Sequence, residues 1–353
     1  MVTLLAVSFI CTMGVSVTGA SAADDIDALK ARVAALEEKV AKINEHASNS
    51  YPMLPTIIAK PWVKVSDDPT IRPEGLAFDR QGNLFMCAVD TGEIFKISPD
   101  KTVKSFFKDP RMTNCASIDI HKDGRLFFCT YHKGTIATLN PDGTGFTEIL
   151  SEFAGKKAFP DDMIFDKAGN FYVTCENGSP MDRTSVVYHV SSDLKVVTPV
   201  VEHLLGANGI SLVKGFYGDE KRMMVGLSTS NTLMRVDLQA DGIHPIPGTA
   251  GLGYVGYFDG ACLDSQVADS ADNIYQCIYS GGKIVVFETQ KLLFEPIAQV
   301  IVPERMQGKH LFTLSVTIKP GTDEGYVTAG GAGGAWIYTF KALAPAMTPF
   351  SHQ

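Results

Sequence analysis

From about residue 56 onward the apolar positions fall in short runs of Val, Ile, Leu, Phe and Tyr, broken by Gly, Asp, Asn and Pro. Runs of this length and composition predict strands and turns, and no long helix. Stacking the segments exposes a repeat: EGLAFDRQGNLFMC from Glu74, ASIDIHKDGRLFFC from Ala116, DDMIFDKAGNFYVTC from Asp161 and DSQVADSADNIYQC from Asp264. Each is a strand, a polar turn and a second strand. NGISLVKGFYGDEKRMMVG from Asn208 is the same unit with a longer turn, and LSVTIKPGTDEGYVTAG from Leu314 is a sixth. Starts separated by roughly 40 to 55 residues suit one four-stranded blade each. The expected fold class is therefore all-β: a six-bladed β-propeller over residues 56–353, preceded by a short N-terminal coiled-coil helix. The strand around Ile57 to Val65 is expected to complete the last blade, which removes exposed sheet edges.

The pattern changes upstream. Ile26, Leu29, Val33, Leu36, Val40 and Ile43 alternate steps of three and four, with Lys, Arg and Glu between them. That is a heptad seam, and over residues 23–46 it predicts a two-stranded coil. Three heptads are marginal alone, so a homo-oligomer formed through residues 26–43 would need a contact made elsewhere as well. An amphipathic helix lying on its own propeller is the alternative reading of the same stripe. Residues 47–55 read as a linker. Residues 1–22 carry no charge, run apolar from Leu4 to Val17 and close on Ala20-Ser21-Ala22, a small-x-small site that places cleavage before Ala23. The segment reads as a signal peptide and implies a periplasmic or secreted protein. The basic residue usual near the start is missing, which leaves a misplaced start or an uncleaved anchor as alternatives. No second apolar run is long enough to span a membrane, so none is expected in the mature form.

Charge narrows the partners. Lys and Arg total 31 against 39 Asp and Glu, a net charge of −8. That balance repels a phosphate backbone and argues against nucleic acid. Of the seven cysteines, Cys11 lies in the signal. Cys87, Cys129 and Cys277 occupy matching positions in different repeats, where equivalent sites stand too far apart to bridge, so buried free thiols are expected.

The leading residue of each repeat sits five positions before the residue that opens its turn, which assigns Glu74, Ala116, Asp161, Asn208 and Asp264 to equivalent backbone sites. Inner strands of a propeller surround its axis, so three carboxylates and an amide converge at one mouth of the channel. Unneutralised, they would repel and raise one another's pKa, whereas a hard divalent cation turns the repulsion into binding. An all-oxygen set points to Ca²⁺, or another divalent metal such as Mg²⁺, rather than Zn²⁺. Asp259-Gly260 competes with Asp264 if the turn carries an insertion, but the spacing from Asp264 to Asp269 and Asn273 needs no gap. Gly251-x-Gly253-x-x-Gly256 matches a dinucleotide string without its strand-to-helix context and reads as a glycine loop. Asn177-Gly178-Ser179 is a glycosylation string, and His132 and His310 are loop histidines near the mouth.

The segments PEGLAFDRQGNLF (Pro73 to Phe85), IHKDGRLF (Ile120 to Phe127), DDMIFDKAGNFY (Asp161 to Tyr172), ANGISL (Ala207 to Leu212) and DSQVADSADNIY (Asp264 to Tyr275) resemble the calcium-dependent lactonase family of regucalcin and the gluconolactonases, and most closely its staphylococcal drug-responsive branch. The resemblance covers about residues 70–342. It implies a six-bladed propeller, a catalytic calcium at the positions matching Glu74, Asp161, Asn208, Asp264 and Ser265, and a proton-transferring role for Asp264. A second calcium of that branch has its counterpart at SEFAGKKAFP, where only Glu152 survives as an acid and Lys156 and Lys157 disfavour a cation. The function expected is calcium-dependent hydrolysis of small lactones or related esters. The alternative is a non-catalytic binding module of the cell envelope whose metal only pins the blades, because propellers host many functions.

Overall fold

The computed structural model describes residues 28–36, 38, 54–177, 182–215, 218–247, 262–290, 296–303 and 312–353. Two units separate, residues 1–55 and 56–353. In the first, residues 28–36 form a single helix. Its Leu29, Val33 and Leu36 are exposed, and a coil partner for this stripe is not shown. The rest of the predicted seam, the signal segment and most of the linker lie outside the described residues, as do Gly251 to Gly256, Asp259 and His310. Among the described residues no helix is long and apolar enough to cross a membrane.

The second unit is built of strands, in chain order β1 (Thr56–Ile58), β2 (Lys60–Ser66), β3 (Pro73–Phe78), β4 (Leu84–Ala88), β5 (Glu93–Ile97), β6 (Val103–Lys108), β7 (Cys115–Ile120), β8 (Leu126–Thr130), β9 (Thr135–Leu139), β10 (Thr147–Leu150), β11 (Pro160–Phe165), β12 (Phe171–Cys175), β13 (Ser185–Val190), β14 (Val197–Leu204), β15 (Ala207–Gly215), β16 (Gly218–Leu227), β17 (Thr232–Asp237), β18 (Leu263–Ala268), β19 (Asn273–Ile278), β20 (Lys283–Glu288), β21 (Pro296–Ile301), β22 (Val316–Ile318), β23 (Glu324–Ala329) and β24 (Ala335–Lys341). They pair into six sheets, with β3, β7, β11, β15, β18 and β22 each at one edge of its sheet. These six edge strands are the inner strands of a six-bladed propeller.

The turns that punctuate the repeats have a common chemistry. Asp79 accepts from the amides of Gln81 and Asn83 and from Asn83 Nδ2. Asp166 repeats this with Ala168 and Asn170, and Asp269 with Ala271 and Asn273. A carboxylate that ties down its own turn fixes where the second strand starts, and so the register of the inner strand against it.

The core is divided into wedges between adjacent blades. Leu76, Met86 and Ile97 of the first blade pack with Tyr326 and Ile337 of the sixth. Phe85 and Ile94 meet Ile118 and Phe128, and Tyr172 and Val187 meet Ile210 and Met223. Every blade therefore buries both faces, which explains why the strands read as nearly continuous apolar runs.

Closure departs from expectation in one respect. The stretch read as one strand from Ile57 to Val65 is two: β2 pairs antiparallel with β24 from Lys60↔Thr339 to Ser66↔Ala335, completing the sixth blade. Its predecessor β1 runs parallel to β21 on the outer edge of the fifth. The buried Ala59 separates them. One short segment thus stitches two neighbouring blades. Six free cysteines are present among the described residues, all buried except Cys262.

Candidate active site

Glu74, Asp161, Asn208 and Asp264 are each the second residue of an inner strand, in β3, β11, β15 and β18. At each of these points the pairing with the next strand slips: between Glu74 and Leu76, Pro160 and Met163, Ala207 and Ile210, and Leu263 and Gln266. The strand β7 slips at the equivalent place, between Cys115 and Ser117. A bulge re-aims a side chain that regular alternation would turn into the sheet. Repeated around the ring, it sends the second residue to one mouth of the channel and the next residue toward the other.

The four residues line one cavity of about 310 Å³ together with Arg72, Tyr131, His132, Glu176 and Tyr279. The carboxylates of Glu74, Asp161 and Asp264 and the Asn208 amide are all buried. Ser265, the fifth residue implied by the resemblance, lies elsewhere. Its side chain lines a different cavity and its hydroxyl donates to Asp162 Oδ2 at 3.3 Å. Its backbone N–H does serve the site, donating to Asp264 Oδ1 at 2.9 Å.

Two glycines make the convergence possible. A Cβ on Gly209 would stand 2.4 Å from the carbonyl of Asp264, so β15 and β18 approach too closely for any side chain there. Gly75 has φ +54° and a Cβ would meet Cys87 Sγ and the amide of Ile118. Each follows a candidate ligand directly, which is why the ligand strands can crowd the axis.

Burial pushes the Glu74 carboxyl well above its usual range, the charges of Asp264 and Asp161 add to this, and Arg72 opposes it. Burial does the same to Asp161, with Glu176 and Asp264 contributing, and to Asp264, where the Ser265 amide resists. Among the described residues no three of Asp, Glu, His and Cys stand close enough to form a finished metal cage. Asn208 Oδ1 is buried without a hydrogen-bond partner. Three buried carboxylates and an orphaned amide oxygen fit a hard divalent cation, which is all-oxygen in its preferences.

Sequence reasoning missed Glu176, Arg72, Tyr131 and Tyr279, because none falls at the repeat phase that marks the inner strands. Glu176 follows the last residue of β12, accepts from the Ser228 hydroxyl, and is pushed up to about 7 by burial. Tyr131 OH donates to the Glu176 carbonyl at 3.0 Å. Arg72 holds Asp90 through Nη2 at 2.7 Å and through Nε, at the edge of the cavity. His132 also lines the cavity and is exposed. Asn177 is engaged structurally: Oδ1 accepts from the Phe159 amide and Nδ2 donates to the Thr184 carbonyl.

A propeller with acids gathered on its axis defines the class. The family profile described as SMP-30/Gluconolactonase/LRE-like region matches residues 112–312. The lactonase drp35 of Staphylococcus saprophyticus is 39% identical over 317 residues, covering 87% of this chain and 93% of the relative. That of Staphylococcus haemolyticus is 38% identical over 311 residues, covering 85% and 92%. Regucalcin of Agrobacterium tumefaciens, a calcium-binding protein, superposes with a TM-score of 0.67 at 15% identity, covering 85% of this chain and all of that one. The chain belongs to the SMP-30/gluconolactonase/LRE-like family.

Proposed function

We propose that this protein is a lactonase that opens small lactones or related esters with the help of one divalent cation, calcium by preference, bound at the axis. The observation that carries the reading is the cavity where Glu74, Asp161, Asn208 and Asp264 meet, in a chain 39% identical to a lactonase over most of its length. Glu74, Asp161, Asn208 and Asp264 are the residues assigned to hold the ion. When bound, the ion would polarise the substrate carbonyl and stabilise charge developing on its oxygen.

The protein's own residues supply the rest. Asp264, oriented by the Ser265 amide, takes the proton from attacking water and returns it to the leaving alkoxide as the ring opens. Ser265 therefore acts through its backbone, while its hydroxyl supports Asp162. Tyr131 and Tyr279 flank the mouth, and the cavity beside the acids is large enough for a small substrate. A purely structural ion would be enclosed, so this room favours an enzyme over the binding-module alternative. Export to the periplasm or medium, and multimerisation through residues 26–43, are parts of the same proposal and rest on the sequence patterns alone.

The test is hydrolysis of a panel of small aromatic and aliphatic lactones by purified protein, with calcium and with chelator. Turnover that needs calcium supports the reading. Absence of turnover on every lactone, in protein shown to bind calcium, overturns it.

A further inference from the structure

Glu176 is the one acid among the described residues lining the mouth that stands outside the ring of candidate ligands. Its amide donates to the Phe159 carbonyl at 3.0 Å, which carries the pairing of β11 with β12 one step past Cys175 and sets Glu176 at the end of the third blade. There the Ser228 hydroxyl of the fourth blade donates to its carboxylate, and the Tyr131 hydroxyl of the second donates to its carbonyl at 3.0 Å. Gly206 makes room for the first of these bonds, since its φ is +70° and a Cβ there would collide with the hydroxyls of Ser228 and Thr229. A residue tied to both neighbouring blades is fixed in place. Its charge is felt by both Asp161 and Asp264.

The charges around this cavity do not balance. Glu74, Asp161, Glu176 and Asp264 supply four carboxylates, and Arg72 is the only Lys or Arg among the described lining residues. The Arg72 guanidinium is bonded to Asp90 through Nε at 3.0 Å and Nη2 at 2.7 Å, so that pair is neutral as a whole. The side chains that bond Glu176 offer neutral hydroxyls. One divalent cation, as in the proposed function, offsets two of the four negative charges. The other two remain beside Tyr131 and Tyr279, in a cavity of about 310 Å³. Excess charge of one sign in a partly desolvated cleft draws in ligands of the other sign and repels its own. Aromatic walls favour an organic cation in particular, because ring faces attract an ammonium group.

We propose that Glu176 is a specificity residue that selects lactones carrying an ammonium substituent, so that the substrate class of this protein is a positively charged lactone or ester. The inference rests on the lactonase reading for the reaction and on Glu176 for the choice of substrate. Glu176 takes no part in making or breaking bonds. It pairs with the substituent, while the axial acids and their cation receive the ring.

The test compares two butyrolactones of one shape, one bearing a trimethylammonium group and the other a tert-butyl group. Full-length protein is assayed with calcium at about pH 8, above the value of about 7 to which burial pushes Glu176. The kcat/KM for the cationic lactone should exceed that for its isostere by about tenfold or more, and added salt should shrink the preference. In Glu176→Gln, which keeps the acceptor for Ser228, the ratio should fall about fivefold. Equal turnover of the two lactones by the wild type overturns the inference and leaves the lactonase reading standing. A ratio unchanged in folded Glu176→Gln overturns it as well, and a loss of calcium affinity in that variant would then make Glu176 a metal ligand instead. If neither lactone is turned over, the lactonase reading fails, and calorimetric titration with the same two compounds decides. Preferential binding of the cationic compound that weakens in Glu176→Gln upholds the selection; equal binding of the two, or none, overturns it. Should Glu176→Gln not fold, the wild-type ratio and its salt dependence decide alone.

Discussion

The two halves of the channel are built from the same six strands, one residue out of step, and they differ in what they can do. At the mouth, Glu74, Asp161, Asn208 and Asp264 surround a cavity of about 310 Å³ bordered by half-exposed groups such as Tyr131 and Glu176. Farther in, Asp162 and Ser265, with Gly75, Ser117 and Ser315 at the corresponding places, face a smaller cavity covered by Met347 and Phe350. The first arrangement presents charge to a molecule arriving from solvent. The second shields charge behind apolar side chains. A bulge in the inner strands β3, β7, β11, β15 and β18 creates the division, since without it the second and third residues would point to opposite faces of the blade rather than to successive levels of the axis.

The largest effect expected from breaking this contrast is on turnover. Asp264→Asn removes the proton acceptor at the mouth while keeping its shape, and lactone hydrolysis should fall by about 10²- to 10⁴-fold with the circular dichroism unchanged. Turnover equal to wild type would remove Asp264 from the role assigned to it.

Stability comes next. Gly209→Ala places a methyl against the Asp264 carbonyl, a backbone atom that cannot swing aside. Overpacking of this kind costs about 1–3 kcal/mol, and the denaturation midpoint in urea should drop accordingly. An unshifted midpoint would show that the inner strands are not held as closely as the structure has them.

Asn208→Leu separates metal binding from folding. In chelator it should be neutral or slightly stabilising, because it deletes a buried oxygen that has no partner. In calcium titrations of the same protein the affinity should fall about tenfold or more. Equal losses with and without calcium would mean that the amide serves the fold only.

The smallest effect is with pH. Burial raises the folded-state pKa of Glu176 from 4.5 and of Asp119 from 3.8, each to about 7. The folded protein then holds these protons more tightly than the unfolded chain, so their cost is absent below the unfolded values and complete above about 7. In chelator, the melting temperature should therefore decline from pH 5 to pH 8. Asp109 and Asp241, lowered to about 2, act in the opposite sense and only below that window. Saturating calcium should flatten the decline, because an ion compensates the charge that protons otherwise cancel. A melting temperature that rises across this range in chelator would contradict the burial of these acids.

Much of this was legible in the chain. The repeated Asp-x-x-x-Asn turns set the phase, and that phase named Glu74, Asp161, Asn208 and Asp264 as equivalents, which the structure confirms by placing each second in its inner strand. Turn chemistry and strand period are local, acting over a few residues, and so they are written in the sequence. Three things were not. The path of residues 56–66 splits between two blades because pairing partners 240 and more residues away compete for it. Ser265 turns to the inner cavity because a bulge depends on the partner strand as much as on its own residues. Glu176 and Tyr279 reach the mouth from the first position after the second strand of their blades, a repeat position that strand period does not mark as facing the channel, and only the closing of the ring brings them together with Arg72. The sequence by itself determined which residues share a place in the repeat. Which way each one faces, and what it meets there, was decided by tertiary structure, since both depend on contacts between segments that the chain order keeps far apart.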